Sequence, residues 1–426
     1  MFVNAQWSNL GTGIDSNVFA LCTDAVGNVF AGGHFNNAGG SPANNIAKWN
    51  GASWSPLGLG IVGTVNALTF DINTNTLYAG GGFFTAGGNP ANCVAAWNGS
   101  SWSPLGMGTS VNVNALAMYN NELYAAGSFS MADTLWVNCI AKWNGSSWQD
   151  VGGGVRGGSF GYPRIYAMTV MNGDLYVAGD FDTAGTIASS KVAKWNGTNW
   201  TAVGVGIDAP VYAMATLNGK IYIDGFFQTA GSTSVYYAAQ WDGMNWSGMG
   251  SGLDLPAYSM TAYNGKIVVG GFFNQAGGNP TAHIAEWNGS SWSAMGTGTN
   301  ADVYALASSG TSLYAAGIFI TAGNVNASRI AKWIEPNGII DETEWKRFVV
   351  YPDPTSGVLN FSTEDISFFN GELSVIILDL TGKEVAKNKI SLSSAALDLS
   401  LIASGTYFYN IKDAGKLIAS GRFVKI

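Results

Sequence analysis

"AKWNGSSW", Ala141 to Trp148, sets two tryptophans five residues apart across an Asn-Gly turn, and the chain repeats the device. "AKWNGASW" stands at 47–54, "AAWNGSSW" at 95–102, "AKWNGTNW" at 193–200, "AAQWDGMNW" at 238–246 and "AEWNGSSW" at 285–292. The second Trp recurs at 7, 54, 102, 148, 200, 246 and 292, and the first at 49, 97, 143, 195, 241, 287 and 333. Of the sixteen tryptophans, only Trp136 and Trp345 stand outside the pattern.

Between one pair and the next lies room for four strands. A segment such as "VNALAM" turns through "YNNE", "MNGD" or "YNGK" into "LYVAG" or "IVVGG". A loop of the type "GxFxxAG" follows, then "NCIAKW", the "NGSS" turn and a short strand starting at Trp. Asn-Gly pairs suit two-residue hairpins because both central residues tolerate positive φ. Four antiparallel strands in roughly 47 residues is the period of a β-propeller blade. The chain opens on a lone second Trp, Trp7, and its last unit, "RIAKWIEPNG", stops after a lone first Trp, Trp333. The expected fold is therefore all-β. A seven-bladed β-propeller is closed by its N-terminal strand, residues around 4–12 pairing with Arg329–Trp333, and a small C-terminal β-sandwich follows. Each Trp pair is expected to wedge an outer hairpin against a neighbouring blade; a sugar-binding role for the pairs is the alternative.

Composition agrees. The 426 residues include 58 glycines and 13% aromatics but only 11% charged side chains, a mix that fits many short strands and excludes disorder. A net charge of −8 argues against a nucleic-acid partner, and no apolar run is long enough for a membrane span. The opening "MFVNAQWSNLG" is compatible with a remnant of an export signal, without its charged start and apolar middle. The three cysteines, Cys22, Cys93 and Cys139, read as unpaired buried residues.

The unit resembles the kelch repeat over residues 1–333. The double glycine is carried by "AGG" at 31–33, "GGG" at 80–82 and "VGG" at 269–271; Ala-Gly or Asp224-Gly225 stands there in the other units.

Composition shifts after Trp333, the last 93 residues holding 21 of the 46 charged side chains. Residues 334–346 read as a linker and 347–426 as strands of a small sandwich. The ordered set "VYPDPTSG" (Pro352, Asp353, Pro354, Gly357), "DLTGKEV" (Asp379, Gly382), "IASGTYF" (Gly405, Tyr407) and "FVKI" (Lys425) resembles the C-terminal sorting domain of the type IX secretion system. That resemblance implies a Gram-negative bacterium, passage through the periplasm, and partners in the outer-membrane translocon and its shuttle. The propeller is then cargo, released or held at the outer cell surface.

Within the cargo no metal spacing of His or Cys is present, and no cofactor is expected. His34 and His283 read as isolated loop residues. Asp15, Asp208 and Asp254 share one loop position, and Asp180 with Asp182 in "GDFDTAG" reads as turn chemistry or a calcium site. Two positions vary from unit to unit. Four residues before the first Trp stand Asn45, Cys93, Cys139, Lys191, Tyr237, His283 and Arg329. In the "GxF" loop stand His34, Phe83, Ser128, Asp180, Phe226, Phe272 and Ile318. Both are expected at one end of the strands, where loops carry function. One sector is irregular: "SFSMADTLWVNC" adds Trp136, and the following "GGGVRGGSFGYPRIYAM" is six residues longer than its counterparts. It contributes Arg156, Phe160, Tyr162 and Arg164, and the two loops are expected to meet. With Tyr237 these residues form the candidate ligand site, or else Trp136 packs under the insertion. The expected function is a non-enzymatic binding or adhesion protein for a glycan or a surface protein. The alternatives are a polysaccharide hydrolase or lyase and a structural surface component.

Overall fold

Turn chemistry sets the strand pattern. Met171 pairs with Asp174 around Asn172 and Gly173, both at positive φ, which makes a two-residue hairpin. The turn between paired tryptophans is longer: Trp143 pairs with Trp148, and the Asn144 carboxamide oxygen accepts the N–H groups of Ser146 and Ser147. The same Asn cap recurs at Asn50, Asn98, Asn196 and Asn288.

The computed structural model describes residues 6–334, 349–362, 373–379, 383–390, 394–413 and 416–426. Most of the expected 334–346 linker, and Gly382, lie outside them. The chain divides into two compact units, Asn4–Glu335 and a second containing Pro336–Ile426.

In the larger unit, antiparallel four-strand meanders recur six times among the described residues, and a seventh sheet takes its fourth strand from Gln6–Asn9. Sheet one runs Asn17–Thr23, Val29–His34, Ile46–Trp49, Trp54–Pro56. The first strands of sheets two to seven are Ile61–Asp71, Val113–Tyr119, Arg164–Met171, Val211–Leu217, Ala257–Tyr263 and Val303–Ser309. Each packs against the next, and Val303–Ser309 packs against Asn17–Thr23. In sheet seven, Gln6–Asn9 pairs with Ile330–Ile334 and sets Trp7 opposite Trp333.

The tryptophans join the sheets. The indole N–H of Trp148 donates to the Leu105 carbonyl at 2.9 Å, and those of Trp54, Trp102, Trp200, Trp246 and Trp292 reach the corresponding carbonyl one unit back. Trp7 reaches Met295 in the same way. Its partner in each pair lies 5.0–5.5 Å away, tilted or edge-on. The ring of the first Trp covers a glycine of the preceding unit: a Cβ on Gly58 would lie 3.3 Å from Trp97. Burying an indole and satisfying its N–H is therefore how each seam is made.

One seam departs from the rest. Where the sister sheets have Gly32, Gly80, Ala126, Ala178, Gly270 and Ala316, sheet five has Asp224, fully buried. A Cβ on Gly32, Gly80 or Gly270 points at the valine opening the next sheet. The corresponding residue facing Asp224 is Ala257, smaller than its sisters Val65, Val113 and Val303. Neither Asp224 oxygen has a hydrogen-bond partner of normal geometry. Burial, relieved in part by the Ala213 backbone, pushes its carboxyl well above the usual range.

The C-terminal unit has two antiparallel sheets. One is Val349–Tyr351, Val358–Ser362 and Ser394–Asp398; the other orders Glu384–Ile390, Leu373–Leu378, Gly405–Asp413 and Lys416–Lys425. Alternate residues of both, among them Leu359, Phe361, Val375, Ile377, Ile411 and Phe423, share one core.

Candidate functional site

In each meander the loop leading into the first strand and the connection between second and third strands emerge at the same end. Every exposed aromatic side chain among the described residues of the larger unit sits there: Phe84, Trp136, Tyr162, Phe226, Tyr236, Tyr258 and Phe272.

The first variable position is a backbone feature. Asn45, Cys93, Cys139, Lys191, Tyr237, His283 and Arg329 all have φ between 62° and 69°. The N–H of each donates to the carbonyl of the buried "GxF" Phe, and its carbonyl accepts from the Gly of that motif, as in Cys139 N–H to Phe129 and Gly127 N–H to Cys139. Two ladder bonds hold a left-handed residue that would otherwise be strained, leaving its side chain free to vary. At the second variable position the sequence reading needs correction in sheet two. Phe83 takes the buried Phe place, with Phe35 and Phe129, and the variable residue is Gly82. The run of three glycines at 80–82 had permitted either alignment. Cys22 also departs from expectation, being half-buried; Cys93 and Cys139 are buried, and all three are free. Burial pushes the Cys139 thiol up to about 12.

The long loop of sheet four is anchored on both flanks. Val155 N–H bonds the Asn138 carbonyl, and Cys139 Sγ lies 3.2 Å from the Pro163 carbonyl, both ties to sheet three. Toward its own sheet, Gly158 and Ser159 N–H groups cap Asp182 and Asp180. Lys191 Nζ bridges the two carboxylates at 3.0 and 2.9 Å. Lys191 and Asp180 are buried; despite that cost the bonds from Lys191 and Ser159 hold Asp180 below its usual range. Asp182 is lowered chiefly by Lys191. These carboxylates are thus committed to an ion triad rather than a calcium ion.

Of the predicted site residues, Trp136 is 73% exposed, paired with Met131 in a two-residue-strand hairpin, so it does not pack under the insertion. Arg156 is exposed in Val155–Arg156, which pairs with Thr183–Ala184 of its own sheet rather than with the Trp136 hairpin. Tyr162 is exposed, and Phe160 has its side chain outside the described residues. Arg164 opens its strand opposite Asp180, beside the Tyr166 hydroxyl. Tyr237 belongs to another sector, its ring 6.2 Å from Phe226.

Sequence reasoning missed the most continuous feature. Every first strand carries a bulge, as between Val18 and Ala20 or Ile165 and Ala167. The bulged residues are Phe19, Asn66, Asn114, Tyr166, Tyr212, Tyr258 and Tyr304. Rings of Tyr166, Tyr212, Tyr258, Tyr304 and Phe19 follow one another at 5.4, 5.9, 5.5 and 5.6 Å. This arc crosses five sheets, from four through seven to one. Burial raises the Tyr212, Tyr258 and Tyr304 hydroxyls, and Asp302 adds to the last two. Asp302 also lies 3.4 Å from the Tyr304 hydroxyl and 3.6 Å from His283 Nδ1, so His283 is not isolated. Asp15, Asp208 and Asp254 do not cap their own turns: each accepts backbone N–H groups from the connection after the second strand of its sheet, at Asn36, Thr229 and Gln275. No His/Cys/Asp/Glu group suited to a metal ion occurs among the described residues.

In the smaller unit two of the quoted motifs converge. Val424 N–H bonds Asp353, Thr355 N–H bonds the Val424 carbonyl, and buried Lys425 Nζ donates to the Ser356 carbonyl at 3.0 Å. The "PDPTSG" turn and the terminal "FVKI" are thus one knot. Asp379 caps its turn through Lys383 N–H, and the Tyr407 hydroxyl donates to the Ala403 carbonyl.

Residues 349–425 match the secretion system C-terminal sorting domain, and residues 264–288 match a β-propeller domain of unknown function. No curated protein matches the chain. Among solved structures it is similar to PorZ, a surface component of the type IX secretion system of Porphyromonas gingivalis, at 15% identity and a TM-score of 0.44. That match covers 97% of this chain and 60% of PorZ. It is also similar to the extracellular domain of a one-component system of Bacteroides thetaiotaomicron, at 12% identity and a TM-score of 0.40, covering 96% and 67% of the two chains. A third similarity is to a B. thetaiotaomicron protein of unknown function, at 13% identity and a TM-score of 0.40, covering 77% and 71%. The chain is an all-β protein with a propeller repeat and a type IX sorting domain. It is sent to the cell surface or beyond through that machinery. No helix among the described residues is long and apolar enough to cross a membrane.

Proposed function

We propose that the seven sheets are the kelch-like blades of one closed propeller, and that this propeller is exported as a binding or adhesion protein for a glycan or a surface protein. The single observation that carries the reading is the confinement of the exposed aromatic side chains, among the described residues of the larger unit, to one end of its strands. Exposed aromatics on a rigid scaffold are the side chains recognition uses, large in area and low in entropy cost. Trp136, Tyr162, Arg156 and Arg164 supply the irregular sector of that end, with Phe160 on the same loop, and Tyr237 with Phe226 supplies another.

A polysaccharide hydrolase or lyase is the second reading, favoured by Asp302 beside Tyr304 and His283. The test is a glycan array probed with the full chain, beside an assay for newly released reducing or unsaturated ends. Selective retention without product supports the binding protein. Product formation abolished by Asp302→Asn moves the assignment to the enzyme. A blank array with no capture of outer-surface proteins and no released product refutes both.

A further inference from the structure

The bulge positions make a ring of a particular chemistry. Five carry aromatic side chains in ring-to-ring contact, and the remaining two, in sheets two and three, carry the primary amides Asn66 and Asn114. These groups are half-buried, and Tyr258 is 37% exposed, so solvent reaches a surface that is otherwise apolar. A packed core would bury these rings. The Asn114 amide donates to the Ile165 carbonyl, which fixes the side chain and leaves its oxygen as an acceptor.

Charge at the margin is already compensated. Lys191 and Arg164 stand against Asp180 and Asp182 in sheet four. Sheet seven carries one charge of each sign: the Arg329 guanidinium donates to the Ile318 carbonyl, and Asp302 faces His283 and the Tyr304 hydroxyl. The arc therefore offers aromatic faces, hydroxyls and amides without a net field for an ion. Resting on the binding reading above, we propose that this ring is a site for an uncharged saccharide. The C–H face of a sugar lies on the Tyr212–Tyr258–Tyr304 rings, and its hydroxyls bond the Tyr hydroxyls and the Asn66 amide. Stacking supplies affinity, and the fixed polar groups supply orientation.

The experiment uses the full chain and isothermal titration with neutral gluco-, manno- and galacto-oligosaccharides, each beside a uronic-acid oligosaccharide of equal length. Neutral binding is expected to exceed acidic binding. It should weaken by about tenfold or more in Tyr258→Ala, persist within about threefold in Tyr258→Phe, which keeps the ring, and weaken in Asn66→Ala. Val26→Ala, in the exposed turn between Asn17–Thr23 and Val29–His34 at the other end of the strands, should leave it unchanged. Binding that survives Tyr258→Ala but is lost in Trp136→Ala overturns the ring site while leaving the binding-protein reading intact. Preference for the acidic series overturns it as well. Absence of binding to every saccharide, with protein capture retained, also sinks the ring site and leaves a protein ligand for the propeller.

Discussion

Replacing Asp224 by alanine should stabilise the larger unit, and by more at high pH than at low. The residue is a fully buried carboxyl with no well-formed hydrogen bond, placed where three sister sheets have alanine. Leaving such a group partnerless costs about 1–3 kcal/mol. Burial raises its folded-state pKa well above the ordinary 3.8, so between those two values the folded state binds the extra proton. Wild-type stability is full at acid pH and falls as pH rises through 3.8 toward the folded pKa, by about 1.36 kcal/mol per unit crossed. Asp224→Ala removes that slope. Alanine alone faces Ala257 and leaves space, so adding Ala257→Val should restore the sister packing and contribute about 1–2 kcal/mol more. Ala257→Val by itself should cost about 1–3 kcal/mol by crowding the carboxyl. Urea titrations of all four proteins from pH 5 to 8, followed by tryptophan fluorescence, measure the cycle; the indoles report almost entirely on the larger unit. A destabilised Asp224→Ala at every pH, or a gap that does not widen with pH, would refute the argument.

Trp148→Ala should lower stability by about 3–5 kcal/mol, and Trp148→Phe by about 1–3, because phenylalanine fills the seam but leaves the Leu105 carbonyl without its donor; denaturant midpoints decide. Lys191→Met should cost about 3–5 kcal/mol by stranding the buried Asp180. On the acid side wild type should lose the triad's contribution as pH falls below 3.8 through the lowered Asp180 and Asp182 values, which acid titration by circular dichroism follows. Removing residues 347–426 in a producing cell should leave the protein in the periplasm. Lys425→Ala, which unties the "PDPTSG" turn from the C-terminus, should cut export several-fold; immunoblots of cell fractions read both. Normal export of the truncated chain would remove the sorting assignment.

Much of the architecture was legible because it is built from identical parts. Seven spaced Trp pairs announce meanders and the seam that joins them, and the wedge role follows because an indole needs both burial and an acceptor. The sorting motifs were legible for the same reason, as short ordered strings. The aromatic arc was not. In "IYAM" or "VYAL" a single Tyr beside a core residue reads as ordinary strand alternation, and only the bulge turns it out of that alternation. The Lys191 triad was hidden differently: Lys191 and Asp180 lie at two positions recognised as variable but not as facing each other, and Asp182 stands two residues beyond Asp180. The insertion's length was visible, but its anchoring on Asp180 and Asp182, away from the Trp136 hairpin, depends on which backbone N–H groups lacked partners.

The pairing of Gln6–Asn9 with Ile330–Ile334 joins residues 324 apart in sequence. A chain made from its N-terminus therefore carries its first strand unpaired until its last meander exists, and the entropy of closing so long a loop makes this a late contact. During that interval Trp7 has neither its ring partner Trp333 nor its acceptor Met295. A strand edge and an indole stay accessible to a holding chaperone. Both are covered once Gln6–Asn9 pairs with Ile330–Ile334, so the order of synthesis sets how long that edge and that indole stay open.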